Sequence, residues 1–280
     1  MRNAVVIFTK VPKAGETKTR LTTERGGILT PEEAKDFYEA SLLDVVDCCI
    51  EAACCDIYVC HDLGGDGTYL RQILDGVSAP RSIRKIFTDN GGSFDKGMQY
   101  AADHMLQGEK GERLVDAILI VGGDMPTLQP GTIRKAFAAL ERLATTVPCD
   151  GAAPSANGDG QCIGPAMVVS ADQECGFNIL GYTHSTPFDF SGVFYNQDGI
   201  TALDMISYKA MEHTIPLGML DIVPDVDVIV DFAGFISVVK TMQLAEKYDP
   251  TIKLPKRTIQ ALEVLGLVAT APVPVNFTNK

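Results

Sequence analysis

The chain has 280 residues, 46% of them hydrophobic and 21% charged, enough to bury a sizeable core and too apolar for a disordered chain. Its formal net charge of −12 argues against a general nucleic-acid or anionic-membrane binder, because both need a basic face. No apolar run approaches the roughly 18–20 residues of a membrane span, and the five-residue run Ala4 to Phe8 is short for an export signal, so a cytoplasmic protein is expected.

In chain order, residues 4–8 read as a buried, β-branched strand. Thr30-Pro31-Glu32-Glu33 has the pattern of a helix start, and Ala34, Phe37, Tyr38, Leu42, Val45 and Val46 continue at helical spacing to about Ala53. Cys54–His61 reads as a second strand, followed by a glycine-rich turn and a helix near Thr68–Leu74. Ser82–Thr88 is a third strand, Ser93–Leu106 a helix, and Val115–Val121 ("VDAILIV") a strongly apolar strand ending at Gly122-Gly123-Asp124. A helix from Pro130 follows, then short strand-like runs around Gly151–Ala153 and Ala166–Val169. Ile200–Met211 is expected to be helical, Leu217–Val223 a strand, and Ile229–Ala245 and Pro255–Leu265 the last two helices.

Strands alternating with helices imply βαβ units, hence an α/β fold: a Rossmann-like α/β/α sandwich with a mainly parallel central sheet. Residues 1–250 are expected to form one nucleotide-binding domain, and 251–280 a C-terminal helical extension and tail. Ligands of such sheets bind at the carboxyl ends of the strands. That rule places the loop after the first strand and Asp124 on one edge, a hundred residues apart in sequence.

The loop is unusual for an acidic protein. From Lys10 to Arg25 it holds Lys10, Lys13, Lys18, Arg20 and Arg25 against Glu16 and Glu24. Cations and backbone amides at a strand's carboxyl end suit phosphate oxygens, and Gly15 lets a backbone approach a ligand closely. The loop is not a P-loop, which would need glycines where Pro12 and Thr17 stand, nor does a G-x-G-x-x-G fingerprint follow the strand. Lys13 reads as solvent-facing; Lys18 and Arg20 are the candidates for ligand contact.

Lys10, Pro12, Gly15 and Lys18-Thr19-Arg20-Leu21 resemble the signature K-x-P-x-x-G-x-x-K-T-R-L of microbial GT-A-type transferases in the nucleotide-diphospho-sugar transferase superfamily. That superfamily also contains the molybdenum-cofactor and 2-phospholactate guanylyltransferases. The resemblance spans roughly residues 4–235. It implies that the first loop holds a nucleotide's phosphates, with Lys10, Gly15, Lys18, Thr19, Arg20 and Gly123 around them and Lys18 and Arg20 gripping the diphosphate. Transfer at a diphosphate also calls for a divalent cation on hard oxygen ligands. Asp124, just past a buried strand, is the leading candidate, and "GGDMPTLQP" resembles the segment whose aspartate binds metal in these relatives. "PDVDVIVDF" resembles their D-x-D-T-P-E-D-L, with Asp225, Asp227 and Asp231 in register and Asp227 as the implied second ligand of Mg²⁺ or Mn²⁺.

Other segments depart from the family pattern. In "GGSFDKGM" Gly97 stands in place of an arginine, so Asp95 and Lys96 face either a ligand or the start of a helix capped by Ser93. The acceptor-side motifs have only Asn157–Cys162 and Gly192–Asn196 as rough counterparts. The implied activity is metal-dependent transfer from a nucleotide-activated donor, foremost a glycosyl group from a nucleotide sugar to an unknown small acceptor, with Asp124, Lys18 and Arg20 as the catalytic groups. The alternatives are nucleotidyl transfer from a nucleoside triphosphate with pyrophosphate release, and non-catalytic nucleotide binding. Cys48, Cys49, Cys54, Cys55 and Cys60 show no C-x-x-C spacing and read as small packing residues, and the four histidines share no ligand spacing.

Overall fold

The computed structural model describes residues 1–108, 112–145, 153–155 and 162–267. In chain order the elements are β1 (Asn3–Thr9), α1 (Pro31–Ala52), β2 (Asp56–His61), α2 (Gly67–Leu74), β3 (Ile83–Thr88) and α3 (Phe94–Leu106). Then come β4 (Ala117–Gly122), α4 (Pro130–Ala144), the two-residue strands β5 (Ala153–Pro154) and β6 (Cys162–Ile163), β7 (Met167–Ala171) and β8 (Phe177–Thr183). The chain continues with α5 (Ala202–Glu212), β9 (Leu217–Met219), α6 (Ile229–Ala245) and α7 (Lys256–Val264).

Seven strands form one sheet in the order β3-β2-β1-β4-β8-β7-β9, in which β8 alone runs against the rest. The period-2 alternation of side chains assigns the two faces. Val5, Ile7, Leu119 and Val121 pack beneath α1 and α4. Val6, Ile118 and Ile120 pack beneath α3 with Met98, Met105 and Phe190. Both faces are covered, as a largely parallel sheet requires, and the expected Rossmann-like sandwich is the observed architecture.

Local chemistry sets the helix starts. Thr30 accepts from the Glu33 amide at 3.2 Å while the Glu33 carboxylate accepts from the Thr30 amide at 2.7 Å, a capping box that opens α1. Two expectations need correction. Leu217–Val223 is a strand only as far as Met219; beyond it the Val223 amide bonds to the Ser170 hydroxyl at 3.2 Å, a side chain rather than a neighbouring strand. Strand β8 was not anticipated. Its Asn178 and Gly181 interrupt an apolar pattern, yet Gly181 is required: a Cβ there would lie 2.2 Å from Leu119 Cδ2 and 2.8 Å from the Ile118 carbonyl oxygen. The run expected around Gly151–Ala153 lies outside the described residues except for Ala153.

A third apolar cluster joins segments distant in sequence. Leu21 and Leu29 from the cationic loop, Phe37 of α1, Phe232 and Phe235 of α6, and Ile259 and Leu262 of α7 are buried together. The Phe37 and Phe232 rings meet edge-on at 4.8 Å. Each such side chain contributes about 1.5–3 kcal/mol on burial, so the loop's end and α6 are held firmly against α1. The same cluster seats α7, which is further tied down by Arg257. Its guanidinium reaches Asp47 at 2.6 Å and Asp44 at 3.3 Å, and Thr258 donates to Asp44 from both amide and hydroxyl at 2.8 Å.

At the carboxyl edge the aspartates that follow β2 and β3 each fix the loop of the neighbouring strand. Asp62, after β2, accepts from the Val11 amide of the β1 loop at 2.9 Å. Asp89, after β3, accepts from the Leu63 amide of the β2 loop at 2.9 Å.

Candidate functional site

The cationic loop leaves β1 at Thr9 and returns to the core at Leu21, so the residues between are held at both ends over the carboxyl edge. Gly15 has a positive φ of 77° in the turn. The Thr17 hydroxyl accepts from the Lys13 amide at 2.9 Å and closes that turn. Lys18 adopts the left-handed region (φ 50°, ψ 39°), which costs a non-glycine residue energy and directs its side chain back over the edge. A 3₁₀ turn, Thr19–Leu21, follows, with the Thr19 carbonyl accepting from the Thr22 amide and hydroxyl.

Asp124 sits two residues past β4. Its carbonyl accepts from the Val226 amide at 3.1 Å, and this one backbone bond brings Asp225–Asp227 alongside it. Asp231 accepts from the Asp227 and Val228 amides at 3.1 and 2.9 Å, so its role is to cap the start of α6.

Lys18, Arg20, Asp124 and Asp227 therefore converge. The Lys18 ammonium lies 2.7 Å from Asp124 Oδ2 and 3.1 Å from Asp227 Oδ1, and its side chain is only 6% exposed. Arg20, 57% exposed, places a guanidinium nitrogen 2.7 Å from Asp227 Oδ2. Burial alone would lower the Lys18 pKa, but the Asp124 and Asp227 charges outweigh it and hold the group firmly protonated. The loop's cations thus face the carboxylates on the opposite side of the site.

The flanking groups carry equal information. Asp225 rises to about 6 through burial and the neighbouring Asp124 charge, although the Gln173 amide donates to it at 2.9 Å. The Tyr38 hydroxyl meets Thr9 Oγ1 at 2.6 Å; Thr9 gives its own hydrogen to the Lys10 carbonyl at 2.8 Å, so Tyr38 is the donor. Burial and Asp124 push the Tyr38 hydroxyl up to about 12, and its ring lies 5.9 Å from the Lys18 ammonium. Gly123 belongs to this packing: a Cβ there would lie 2.8 Å from Leu42 Cδ1 and 3.1 Å from the Tyr38 hydroxyl, and its carbonyl accepts from Ser41 at 3.0 Å.

Of the residues singled out from the sequence, Lys18, Arg20, Asp124 and Asp227 meet in one cluster, with Thr19 in the adjoining turn and Gly123 beneath it. Lys10 is exposed at the loop's start, and Gly15 forms the turn. The half-buried Asp95 carboxylate accepts from the Gly192 and Phe194 amides at 3.2 and 3.0 Å, while Ser93 caps α3. Sequence reasoning missed Tyr38, read as a core residue by its helical spacing; nothing in that spacing reveals the bond to Thr9. The acceptor-side segment Asn157–Cys162 lies outside the described residues up to Cys162. Cys48, Cys49 and Cys60 are buried in the core.

Mg²⁺ or Mn²⁺ fits the carboxylates by type and number. Both ions accept one or two protein carboxylates and keep water or phosphate as the remaining ligands, and Asp124 and Asp227 already converge on a single cation, the Lys18 ammonium. Among the described residues no group of three or more His, Cys, Asp or Glu side chains has the arrangement of a metal cage.

The sheet is parallel in the order 3-2-1-4 and extended through one antiparallel strand, with a charged cluster over its carboxyl edge. A protein of Desulfovibrio desulfuricans G20, provisionally described as a nucleotide-diphospho-sugar transferase, superposes with a TM-score of 0.66 over 95% of this chain and 97% of its own, at 15% identity, which establishes likeness of fold alone. A nucleotidyl transferase from Methanothermobacter thermautotroptrophicus is similar more loosely, with a TM-score of 0.45 at 11% identity over 84% of this chain and 95% of its own. The chain belongs to the family described as "Uncharacterized protein conserved in bacteria (DUF2064)", whose profile matches residues 45–197. That span contains Asp124 and begins after the cationic loop. No curated protein matches the chain.

Proposed function

We propose that this protein is a transferase that acts on a nucleotide-activated donor, foremost a nucleotide-diphospho-sugar, and passes the glycosyl group to a small acceptor. The single observation that carries the reading is the meeting of Lys18 and Arg20 with Asp124 and Asp227 at the carboxyl edge, where α/β sheets bind ligands. Two cations from one loop and two hard carboxylates from distant segments are the parts needed to hold a diphosphate with a divalent cation.

The chemistry is electrostatic. Lys18 and Arg20, turned toward the diphosphate, would stabilise the negative charge that grows on its oxygens as the bond to the donor breaks. Asp124 and Asp227 would hold Mg²⁺ or Mn²⁺, which supplies further positive charge to the same oxygens when bound. Tyr38, protonated and hydrogen-bonded to Thr9, presents its ring 5.9 Å from the Lys18 ammonium. Asp225 adds negative charge that favours a cation at the site.

Thermal-shift measurements with nucleoside diphosphates and nucleotide sugars, with and without Mn²⁺, test the reading. Stabilisation that needs both nucleotide and metal, and that vanishes in Asp124→Ala, is the expected result; no stabilisation by any of them overturns it. Release of a nucleoside diphosphate from a nucleotide sugar would identify glycosyl transfer. Release of pyrophosphate from a nucleoside triphosphate would replace it with nucleotidyl transfer.

A further inference from the structure

We infer that Lys18 is the site's resident counter-ion, exchanged on loading, so that the site takes a divalent cation and a diphosphate together as a chelate and resists each alone. The inference rests on the proposed reading of the site and names the form in which its ligand enters.

The observations lie in the ion-pair geometry. The Lys18 ammonium stands between Asp124 and Asp227 at 2.7 and 3.1 Å, where a metal shared by these carboxylates would also stand. Both oxygens of Asp227 are engaged, Oδ1 by Lys18 and Oδ2 by Arg20. Lys18 is nearly inaccessible, and its left-handed backbone commits it to this side of the loop. Two cations are thereby balanced by two carboxylates.

A divalent cation arriving alone meets an ammonium in its place and gains the carboxylates only by driving that ammonium into a site with no new partner for it. A diphosphate arriving alone, with about two to three negative charges, meets cations already neutralised and the carboxylates behind them. When both arrive, the exchange is closed: the metal takes Asp124 and Asp227, and Lys18 and Arg20 pass to phosphate oxygens. Each buried charge keeps an opposite partner throughout, which is the condition for moving ion pairs in a partly desolvated place. Metal and diphosphate then raise each other's affinity reciprocally, as linkage demands.

Calorimetric titration of the full-length chain with Mn²⁺ alone, with inorganic pyrophosphate in chelator, and with preformed Mn²⁺–pyrophosphate tests this directly. The chelate is expected to bind at least about tenfold more tightly than either component, within the usual range of such couplings. Lys18→Met should reverse the order: Mn²⁺ alone gains about tenfold or more because its competitor is gone, and the chelate loses about tenfold or more because a phosphate partner is gone. Mn²⁺ binding that is equal in wild type and Lys18→Met, with the chelate still bound, overturns the exchange and leaves the proposed function standing. Should Lys18→Met not fold, the wild-type titrations decide alone, and Mn²⁺ binding as tight by itself as with pyrophosphate overturns the inference. Failure of the wild type to bind the chelate removes the proposed function and this inference together.

Discussion

Two basic side chains in this protein each lie between two aspartates, and the two settings differ in what else the aspartates touch. Arg257 bridges Asp44 and Asp47 where α7 meets α1. There Asp44 also accepts the amide and hydroxyl of Thr258, Asp47 accepts the Ser78 amide at 2.7 Å, and Arg257 donates to the Gly76 carbonyl at 2.6 Å. Lys18 bridges Asp124 and Asp227, where the carboxylates are held by Lys18 and Arg20 and a third acid, Asp225, lies near. Fixed amides and hydroxyls make an ion pair part of the scaffold, because they satisfy the carboxylates in a geometry no ligand can improve. Carboxylates balanced only by the side chains of a lysine and an arginine remain open to exchange.

The contrast breaks most visibly at Asp124. Asp124→Ala is expected to weaken Mn²⁺–pyrophosphate binding by at least about 100-fold in calorimetry, since it removes one of two carboxylates for the metal. At the clamp the effect moves to stability. Arg257→Met leaves Asp44 and Asp47 without their cation, and discounted for the exposed part of the side chain this costs about 2–3 kcal/mol in urea unfolding. Chelate binding should stay within twofold of wild type, and a larger change would mean that the two networks are coupled. Thr258→Val removes one hydroxyl from Asp44 and should cost about 1 kcal/mol by the same measurement.

A last effect concerns acid. Burial, with the Arg113 charge, depresses His184 from 6.5 to about 4. Between these values the unfolded chain binds more protons than the native one, so this group's contribution to stability is complete above about pH 6.5 and is lost as pH falls toward 4. Unfolding curves at pH 7.5 and 5 should therefore differ less in His184→Gln than in wild type. That variant subtracts a contribution that would otherwise blur comparison of the two networks.

Much of the first half of the fold was legible because β1, β2 and β4 are built on apolar runs closed by turn residues. Strand β8 was not, because what selects Gly181 is contact with Leu119 and Ile118, residues more than sixty positions away. In the site, Lys18, Arg20 and Asp124 were visible as chemistry at the ends of predicted elements, and Asp227 through the resemblance of its segment. Their pairing was not, since it depends on the Val226 amide reaching the Asp124 carbonyl and on the left-handed backbone of Lys18. Asp225 and Tyr38 matter through burial, which no spacing encodes.

The aspartates that end β2 and β3 give the carboxyl edge a mechanical order. Asp89 positions the loop carrying Asp62, and Asp62 positions the start of the cationic loop, so the placement of Lys18 is referenced to the outermost strand of the sheet. A shift at β3 would be handed inward one strand at a time. Alignment of the site is thus a property of the β3-β2-β1 side of the sheet, and a lesion at its rim would register as a misaimed loop in a protein whose core remained intact.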